Sequence, residues 1–153
     1  MEKYQEHLEN AIKNMRIADH IVYITYPVVR DKRLLLSSIN KIYESLLSVI
    51  NAILQYDYLW KRIKLYENAK DNFRVFLEKS GPRYGLTSQE ITKIIEFISL
   101  VETHKKSPIE FLRREKIVIM TDNLQTKTID IELIKSYLSL VKSLIAKARF
   151  LLK

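Results

Sequence analysis

The chain has 153 residues, enough for one domain with a single hydrophobic core, and 47% of them are apolar while 29% are charged. This composition excludes a disordered chain, the absence of cysteine excludes disulfides and thiolate chemistry, and no apolar run reaches the roughly 18 to 20 residues that span a bilayer. The 26 lysines and arginines against 18 acidic residues give a net charge of +8, which favours a polyanionic partner if the basic segments converge in the fold.

The first predicted element is an amphipathic helix over residues 2–25. Its apolar side chains recur at spacings of three and four from Leu8 to Tyr26. Pro27 is expected to end this helix, because proline has no N–H to donate and disfavours helical backbone in the residue before it. Asp31 is then a suitable N-cap for the next helix.

The second predicted helix is the longest and occupies the centre of the bundle. Apolar residues again step by three and four from Leu35 to Leu54, with neither glycine nor proline in the run. The pattern blurs at residues 56–62, so this helix either continues to about Tyr66 or bends before it.

The middle of the chain holds two further predicted helices. Asn68 can cap a helix over residues 69–79, and residues 80–85, which contain both glycines, predict a loop. Thr87 and Glu90 have the spacing of a capping box, in which each side chain satisfies a free backbone donor of the other, and a fourth helix is expected to follow.

The local pattern then changes character before the last helix. Ser107 opens a second capping box with proline at the next position, which predicts a short helix to Arg114. The β-branched run at residues 117–120 and the threonine-rich residues 124–129 predict a small hairpin. The periodic pattern of residues 130–152 predicts the C-terminal helix.

These elements give an all-α fold class. We predict a single helical domain over residues 1–153, with about five main helices and with the short helix and small β-hairpin inserted before the C-terminal helix. The charge excess lies in three separate segments, 26–66, 104–128 and 129–153, so a basic face depends on how these segments meet.

Two blocks carry a resemblance to known proteins. They are residues 104–129, which read HKKSPIEFLRREKIVIM followed by TDNLQTKTI, and residues 56–63, which read YDYLWKRI. Both resemble a family of small archaeal helical proteins with the block HKKSPxEFxRxxxxVIM. Because no activity is assigned to that family, the likeness implies a source and a fold class rather than a function.

The chain more distantly resembles the HEPN helical bundles. Some HEPN proteins are RNA-cleaving toxins, and others are binding partners of nucleotidyltransferases. Nuclease members carry arginine, four to six intervening residues and then histidine, whereas Arg16 and His20 have three residues between them. The motif is therefore absent, and we interpret the pair as two solvated side chains, with a degenerate ribonuclease site as the alternative.

The sequence offers little for catalysis or for cofactors. The three histidines, His7, His20 and His104, are far apart and none has a second ligand at a recognised spacing, so we expect no metal. There is no glycine-rich phosphate loop and no nucleophile elbow. We predict no catalytic residue and no cofactor, and we favour a protein that is not an enzyme.

Two features point to a ligand. Residues 55–66 interleave Tyr56, Tyr58, Trp60 and Tyr66 with Lys61, Arg62 and Lys64, and such groups together can stack bases and hold phosphates. The alternative is that Trp60 and most of the tyrosines are core or groove anchors with their hydroxyls at the surface. The second feature is the basic cluster near the insert, for which the alternative is a solvated corner. Its members are Lys105, Lys106, Arg113, Arg114 and Lys116.

The preferred hypothesis is a cytoplasmic, non-enzymatic protein that binds structured RNA or a ribonucleoprotein such as the ribosome. The predicted binding residues are Lys105, Lys106, Arg113, Arg114, Lys116, Lys61, Arg62 and Lys64. The runner-up is a protein-interaction module, either a homodimer or the helical partner of another subunit, which an exposed apolar or aromatic surface along residues 23–26 or on the hairpin would favour. No membrane partner is expected, and an HEPN-like ribonuclease is the third hypothesis.

Overall fold

A computed structural model describes the backbone of residues 2–106, 109–113, 116–120 and 126–152, and the side chains of residues 2–104 and 128–152. Five helical runs form a bundle, which confirms the predicted all-α class. The helices are α1 (Lys3–His20), α2 (Tyr26–Val29), α3 (Lys32–Leu59), α4 (Ala69–Val75), α5 (Gly81–Arg83), α6 (Ser88–Lys106) and α7 (Ile131–Leu151). The strands are β1 (Ile109–Arg113), β2 (Lys116–Met120) and β3 (Thr126–Ile129).

The core lies between α1, α3 and α7. Small side chains bring α1 and α3 close together, and the Ser45 hydroxyl donates a 2.7 Å hydrogen bond to the carbonyl of Ala11. The α7 helix crosses both and buries most of its apolar stripe. Lys142 of α7 forms an ion pair with Asp19 of α1, which fixes the α7 helix beside the C-terminal half of α1.

The first helical run does not end at Pro27, so that prediction is wrong. Residues Ile21–Thr25 form a π turn, here called the first π turn, in which the Tyr26 N–H donates to the Ile21 carbonyl five residues back. This wider turn relieves the clash between the proline ring and the preceding turn. Its i→i−5 hydrogen bonds also do not require an N–H group on Pro27. The helix therefore continues to Val29 and ends where Arg30 adopts a left-handed φ of 53°.

The prediction of a loop at residues 80–85 is wrong for residues 80–83, where a π turn again continues the helix, and it is confirmed only for the turn at residues 84–85. Residues Phe76–Ser80 form the second π turn, and the Gly81 N–H donates to the Phe76 carbonyl. The helical path then continues past Pro82 to Arg83, and the Tyr84 N–H still bonds the Ser80 carbonyl at 3.0 Å. The chain turns only at Gly85, whose φ of 81° is one that glycine adopts without strain.

The insert before α7 is a three-stranded antiparallel sheet in the order β1, β2, β3. Residues 117–120 pair with residues 126–129, which confirms the predicted hairpin. The predicted short helix is wrong, because Ile109–Arg113 forms β1 and pairs with β2 instead. A two-turn helix is marginal by itself, whereas the β-branched β2 strand offers a free edge for pairing. Ser107, Pro108 and Arg114 lie outside the described residues.

The helix caps predicted at Asp31, Asn68 and Thr87 are confirmed. The side chains of Asp31 and Asn68 each accept a hydrogen bond from the backbone N–H two residues on, at 2.9 and 2.8 Å. Thr87 and Glu90 form the reciprocal capping box at 3.1 and 3.2 Å, and Asp130 caps α7 at 2.9 Å. Within the part of the chain that the structure describes, no helix combines the length and apolar composition needed to cross a bilayer.

Candidate nucleic-acid interface

The C-terminal end of α3 reverses the chain sharply. The helix ends at Leu59, and Lys61 adopts a left-handed φ of 59°, which is unusual for a residue with a side chain. The Arg62 N–H then donates a 2.9 Å hydrogen bond to the carbonyl of Asp57. Of the two alternatives left open by the sequence, the one in which α3 stops before Tyr66 is observed. The reversal brings the side chain of Arg62 back to that of Asp57.

Asp57 lies fully buried at the centre of a polar cluster. Its Oδ1 atom accepts hydrogen bonds from Arg62 Nη1 at 3.2 Å and from the Tyr84 hydroxyl at 3.1 Å. Its Oδ2 atom accepts from the Ser80 hydroxyl at 2.7 Å and from Arg83 Nη1 at 3.1 Å. We call these five residues the Asp57 cluster. Every donor reaches one carboxylate, so the cluster joins the end of α3 to the second π turn and to α5.

Burial makes this carboxylate costly unless it is paired and hydrogen-bonded, and the four donors meet that requirement. Tyr84 responds to the same surroundings. Burial, reinforced by the negative charge of Asp57 and by the hydrogen bond to it, raises the pKa of Tyr84 above its usual value. The hydroxyl therefore keeps its proton and acts as a donor at neutral pH.

The two arginines of the Asp57 cluster also reach solvent. Their side chains are 41% exposed for Arg62 and 40% exposed for Arg83. The guanidinium of Arg62 lies over the ring of Tyr56, 5.8 Å from its centroid, which restrains the guanidinium from a second side. Two positive charges thus share one negative charge at the surface of the bundle.

The same stretch of chain as Arg62 carries exposed aromatic side chains. Tyr58 and Tyr66 are about half exposed, and Trp60 is 59% exposed. The interpretation of Trp60 as a core anchor is therefore wrong. Tyr56 is the half-buried support, because its ring contacts Trp60 on one side, with centroids 6.2 Å apart, and Tyr4 on the other at 5.0 Å.

Lys61 and Lys64 are also exposed on this stretch of chain. Together with the neighbouring aromatic residues they form what we call the α3-end surface. Its members are Tyr58, Trp60, Lys61, Arg62, Lys64 and Tyr66. One of the two basic groups predicted from sequence is thus exposed on a short stretch of chain that also exposes three aromatic side chains.

The second predicted basic group lies elsewhere. Lys105 and Lys106 are the last residues of α6, and they lie about 26 to 27 Å along this helix from its first residue, Ser88, at about 1.5 Å per residue. Arg113 and Lys116 are paired across β1 and β2, while Arg114 lies outside the described residues. The two predicted groups therefore lie on different elements, and the side chains of the second group are not among those described.

The predicted degenerate ribonuclease pair lies on α1. Arg16 and His20 are both exposed, and His20 Nδ1 lies 3.2 Å from the Thr25 hydroxyl in the first π turn. Asp19, between them in sequence, is engaged by Lys142. Neither side chain is buried in a cleft, which is the setting that tunes a catalytic base. Among the described residues, no group of three or more histidine, aspartate or glutamate side chains could hold a metal ion.

Sequence reasoning missed four residues of the Asp57 cluster, namely Asp57, Ser80, Arg83 and Tyr84. One observation could have found the centre of the cluster. Asp57 follows Ile53 by four positions and Ile50 by seven, so it continues the apolar stripe of α3 and is buried. A carboxylate on a buried stripe needs cationic partners, and the sequence places Arg62 close by.

No family model matches the chain, and no curated protein or solved structure shows significant similarity to it. The resemblances to archaeal helical proteins and to HEPN bundles stay predictions. Function must therefore be inferred from the residues of this chain and from their geometry.

Proposed function

We propose that the protein binds structured RNA, free or within a ribonucleoprotein, through the α3-end surface. The observation that carries this proposal is Trp60, a large aromatic side chain 59% exposed beside the Asp57 cluster. An exposed indole is accessible to a ligand, and unpaired bases of RNA loops stack on such rings. Lys61, Arg62 and Lys64 supply the positive charge for the adjacent phosphates.

The protein contains a single tryptophan, so its fluorescence reports directly on the α3-end surface. We expect a hairpin RNA with a uridine loop to quench Trp60 fluorescence, whereas a blunt duplex of the same stem should quench it much less. The Trp60→Ala variant should bind the hairpin about 5- to 160-fold more weakly, because one base–aromatic stack contributes roughly 1 to 3 kcal/mol.

The matched control is Tyr23→Ala. Tyr23 is also about half exposed, but it lies in the first π turn at the other end of the bundle. Binding that is undetectable at low salt would reject RNA as the ligand. Binding that Trp60→Ala and Tyr23→Ala weaken equally would reject the α3-end surface.

The second basic group provides a separate arm of the same experiment. Reversing Arg113 and Arg114 to glutamate weakens binding if the insert also contacts RNA, and the salt dependence should then become less steep. If the variant binds like the wild type, the α3-end surface is the only one of the two groups that contributes.

A second candidate function is an interaction with another protein. The observation that favours it is the apolar surface of the first π turn and α2, where Ile24 is 59% and Val28 is 83% exposed. The variant Ile24→Glu with Val28→Glu should shift the mass in sedimentation from dimer to monomer. A wild-type protein that is monomeric at micromolar concentration would contradict a homodimer.

The ribonuclease hypothesis stays a prediction with a simple test. RNA that remains intact with the wild type and with His20→Ala alike would dismiss it.

A further inference from the structure

The charge of the Asp57 cluster is not balanced. Arg62 and Arg83 both bind the carboxylate of Asp57, one at each oxygen, so two cations face one anion. Other ion pairs of the described residues, such as Asp31 with Arg33 and Asp19 with Lys142, join one carboxylate to one base. The Asp57 cluster thus keeps one positive charge after its internal pairing is complete.

The two guanidinium groups are held in place before any ligand arrives. Asp57 fixes one nitrogen of each, and the Tyr56 ring restrains Arg62 further. Each guanidinium has five N–H donors, and one bond to Asp57 leaves others for a ligand on the exposed side. An anion that binds such donors avoids most of the entropy cost of ordering two long side chains.

Phosphate is the anion whose geometry suits this arrangement. Arginine donates pairs of N–H groups to phosphate oxygens, and two adjacent arginines can bind different oxygens of one phosphate group. Trp60 lies next to Tyr56, so a base attached to the phosphate has an aromatic ring within reach.

We infer that Arg62 and Arg83, anchored by Asp57, form a receptor for one phosphate group of the RNA, with the attached or next base stacked on Trp60. This inference rests on the proposed function and deepens it. It adds Arg83, which no sequence pattern assigned, and it makes the geometry of the arginines, rather than their charge alone, responsible for affinity.

The direct test is a titration of the wild-type protein with inorganic phosphate at constant ionic strength, followed by NMR of the arginine Nε–H groups. The signals of Arg62 and Arg83 should shift together and saturate at one phosphate concentration. Arg33 is the matched control, because its guanidinium is paired one to one with Asp31 on an exposed surface. Its signal should not saturate with the other two.

The test with RNA uses oligouridine and the variants Arg83→Lys and Arg33→Lys. Lysine keeps the charge but loses the paired donors, so Arg83→Lys should weaken binding about tenfold, the value of one charge-assisted hydrogen bond, while Arg33→Lys leaves binding unchanged. Oligouridine with a 5′-phosphate, compared with a 5′-hydroxyl, shows whether a terminal or an internal phosphate is bound. Thermal unfolding of each variant identifies any effect of lost stability.

The outcomes separate the inference from the proposed function. If phosphate shifts Arg62 and Arg83 while no RNA binds, the receptor stands and RNA as the ligand fails. If RNA binds and quenches Trp60 while Arg62 and Arg83 respond no more than Arg33, the receptor is wrong and the Asp57 cluster serves stability alone. RNA binding that is unchanged in Arg83→Lys would overturn the inference as well.

Discussion

The two π turns occupy the same position relative to a proline, yet they have opposite surroundings. Thr25 ends the first π turn two residues before Pro27, lies partly exposed and contacts His20. Ser80 ends the second π turn two residues before Pro82, is fully buried and donates to Asp57. The same backbone adjustment thus yields an apolar surface at one end of the bundle and a buried polar cluster at the other.

In both turns the proline determines the local backbone conformation, while the tertiary contacts determine whether the side chains of the turn are buried or exposed. A π turn adds one residue and so rotates the side chains that follow it by about 100° around the helix axis. At the second π turn the Ser80 hydroxyl donates a hydrogen bond to the buried carboxylate of Asp57. At the first, no comparable carboxylate contacts the turn among the described residues, and Tyr23 and Ile24 remain exposed.

The largest expected difference in stability between the two ends of the bundle arises when the carboxylate near each π turn, Asp57 or Asp19, is removed. Asp57→Ala leaves two arginines, a serine and a tyrosine without their shared acceptor, and we expect it to lower the free energy of unfolding by about 3 kcal/mol. This is the lower end of the range for a buried ion pair, because both arginines can reach solvent.

Asp19→Ala is the control, since the Asp19–Lys142 pair is about 41% exposed on each side and should contribute at most about 1 kcal/mol. Urea unfolding of both variants measures the difference. Equal losses would contradict the assignment of a structural role to the Asp57 cluster.

The next largest difference in the free energy of unfolding is expected between substitutions at the last residues of the two π turns. Ser80→Ala removes a buried 2.7 Å hydrogen bond to a carboxylate and should cost about 1.5 to 3 kcal/mol. Thr25→Ala removes a solvent-accessible contact and should change the free energy of unfolding by less than about 0.5 kcal/mol. If the two substitutions have similar effects, the two π turns do not differ in the way described.

The helix caps and the two prolines show which parts of the fold could be predicted from the sequence and which could not. The caps at Asp31, Asn68 and Thr87 and the stripes of α3 and α7 were predictable, because they depend on spacing along the chain. Pro27 was misread as a helix end because the rule considers α-helical hydrogen bonds only and omits the i→i−5 alternative. The loop predicted at residues 80–85 from its glycines failed at residues 80–83, where the second π turn carries the helical path past Pro82.

The candidate site was only half predictable for a related reason. Tyr58, Trp60 and Arg62 are neighbours in sequence, so their basic and aromatic character is visible there. Arg83 lies 26 residues after Asp57, and only the folded chain brings it to the same carboxylate. The helix predicted before Arg114 failed because strand pairing with β2 depends on contacts that periodicity does not report.

A smaller expected effect is the pH dependence of the stability that Tyr84 contributes. Burial and the charge of Asp57 raise the pKa of Tyr84, so the folded protein keeps this proton above pH 10, where an unfolded tyrosine loses it. The stabilisation from Tyr84 is therefore complete below about pH 10 and declines as the pH rises further.

Tyr84→Phe should cost about 1 to 2 kcal/mol at pH 8, and its difference from the wild type should narrow at pH 11. Urea unfolding at both pH values checks this, with Tyr23→Phe as an exposed control. A difference that stays constant with pH would mean that the Tyr84 proton does not distinguish the folded from the unfolded state.

The smallest expected effect lies on the apolar surface of the first π turn. Ile24→Ser should change the free energy of unfolding by less than about 0.5 kcal/mol, because Ile24 is exposed. Val22→Ser, two residues earlier in the same turn but buried, should cost about 2 kcal/mol or more. Thermal unfolding distinguishes them, and a large loss from Ile24→Ser would show that this surface is covered in solution.

The placement of the Asp57 cluster along the chain bears on the order of folding. All five of its side chains come from residues 57–84, whereas the ion pair between Asp19 and Lys142 joins positions 123 residues apart. The entropy cost of closing a loop rises with its length, so the cluster closes at a lower cost than the docking of α7. We therefore expect the end of α3 and the second π turn to become protected from hydrogen exchange before α7 docks, and the phosphate receptor to form early in folding.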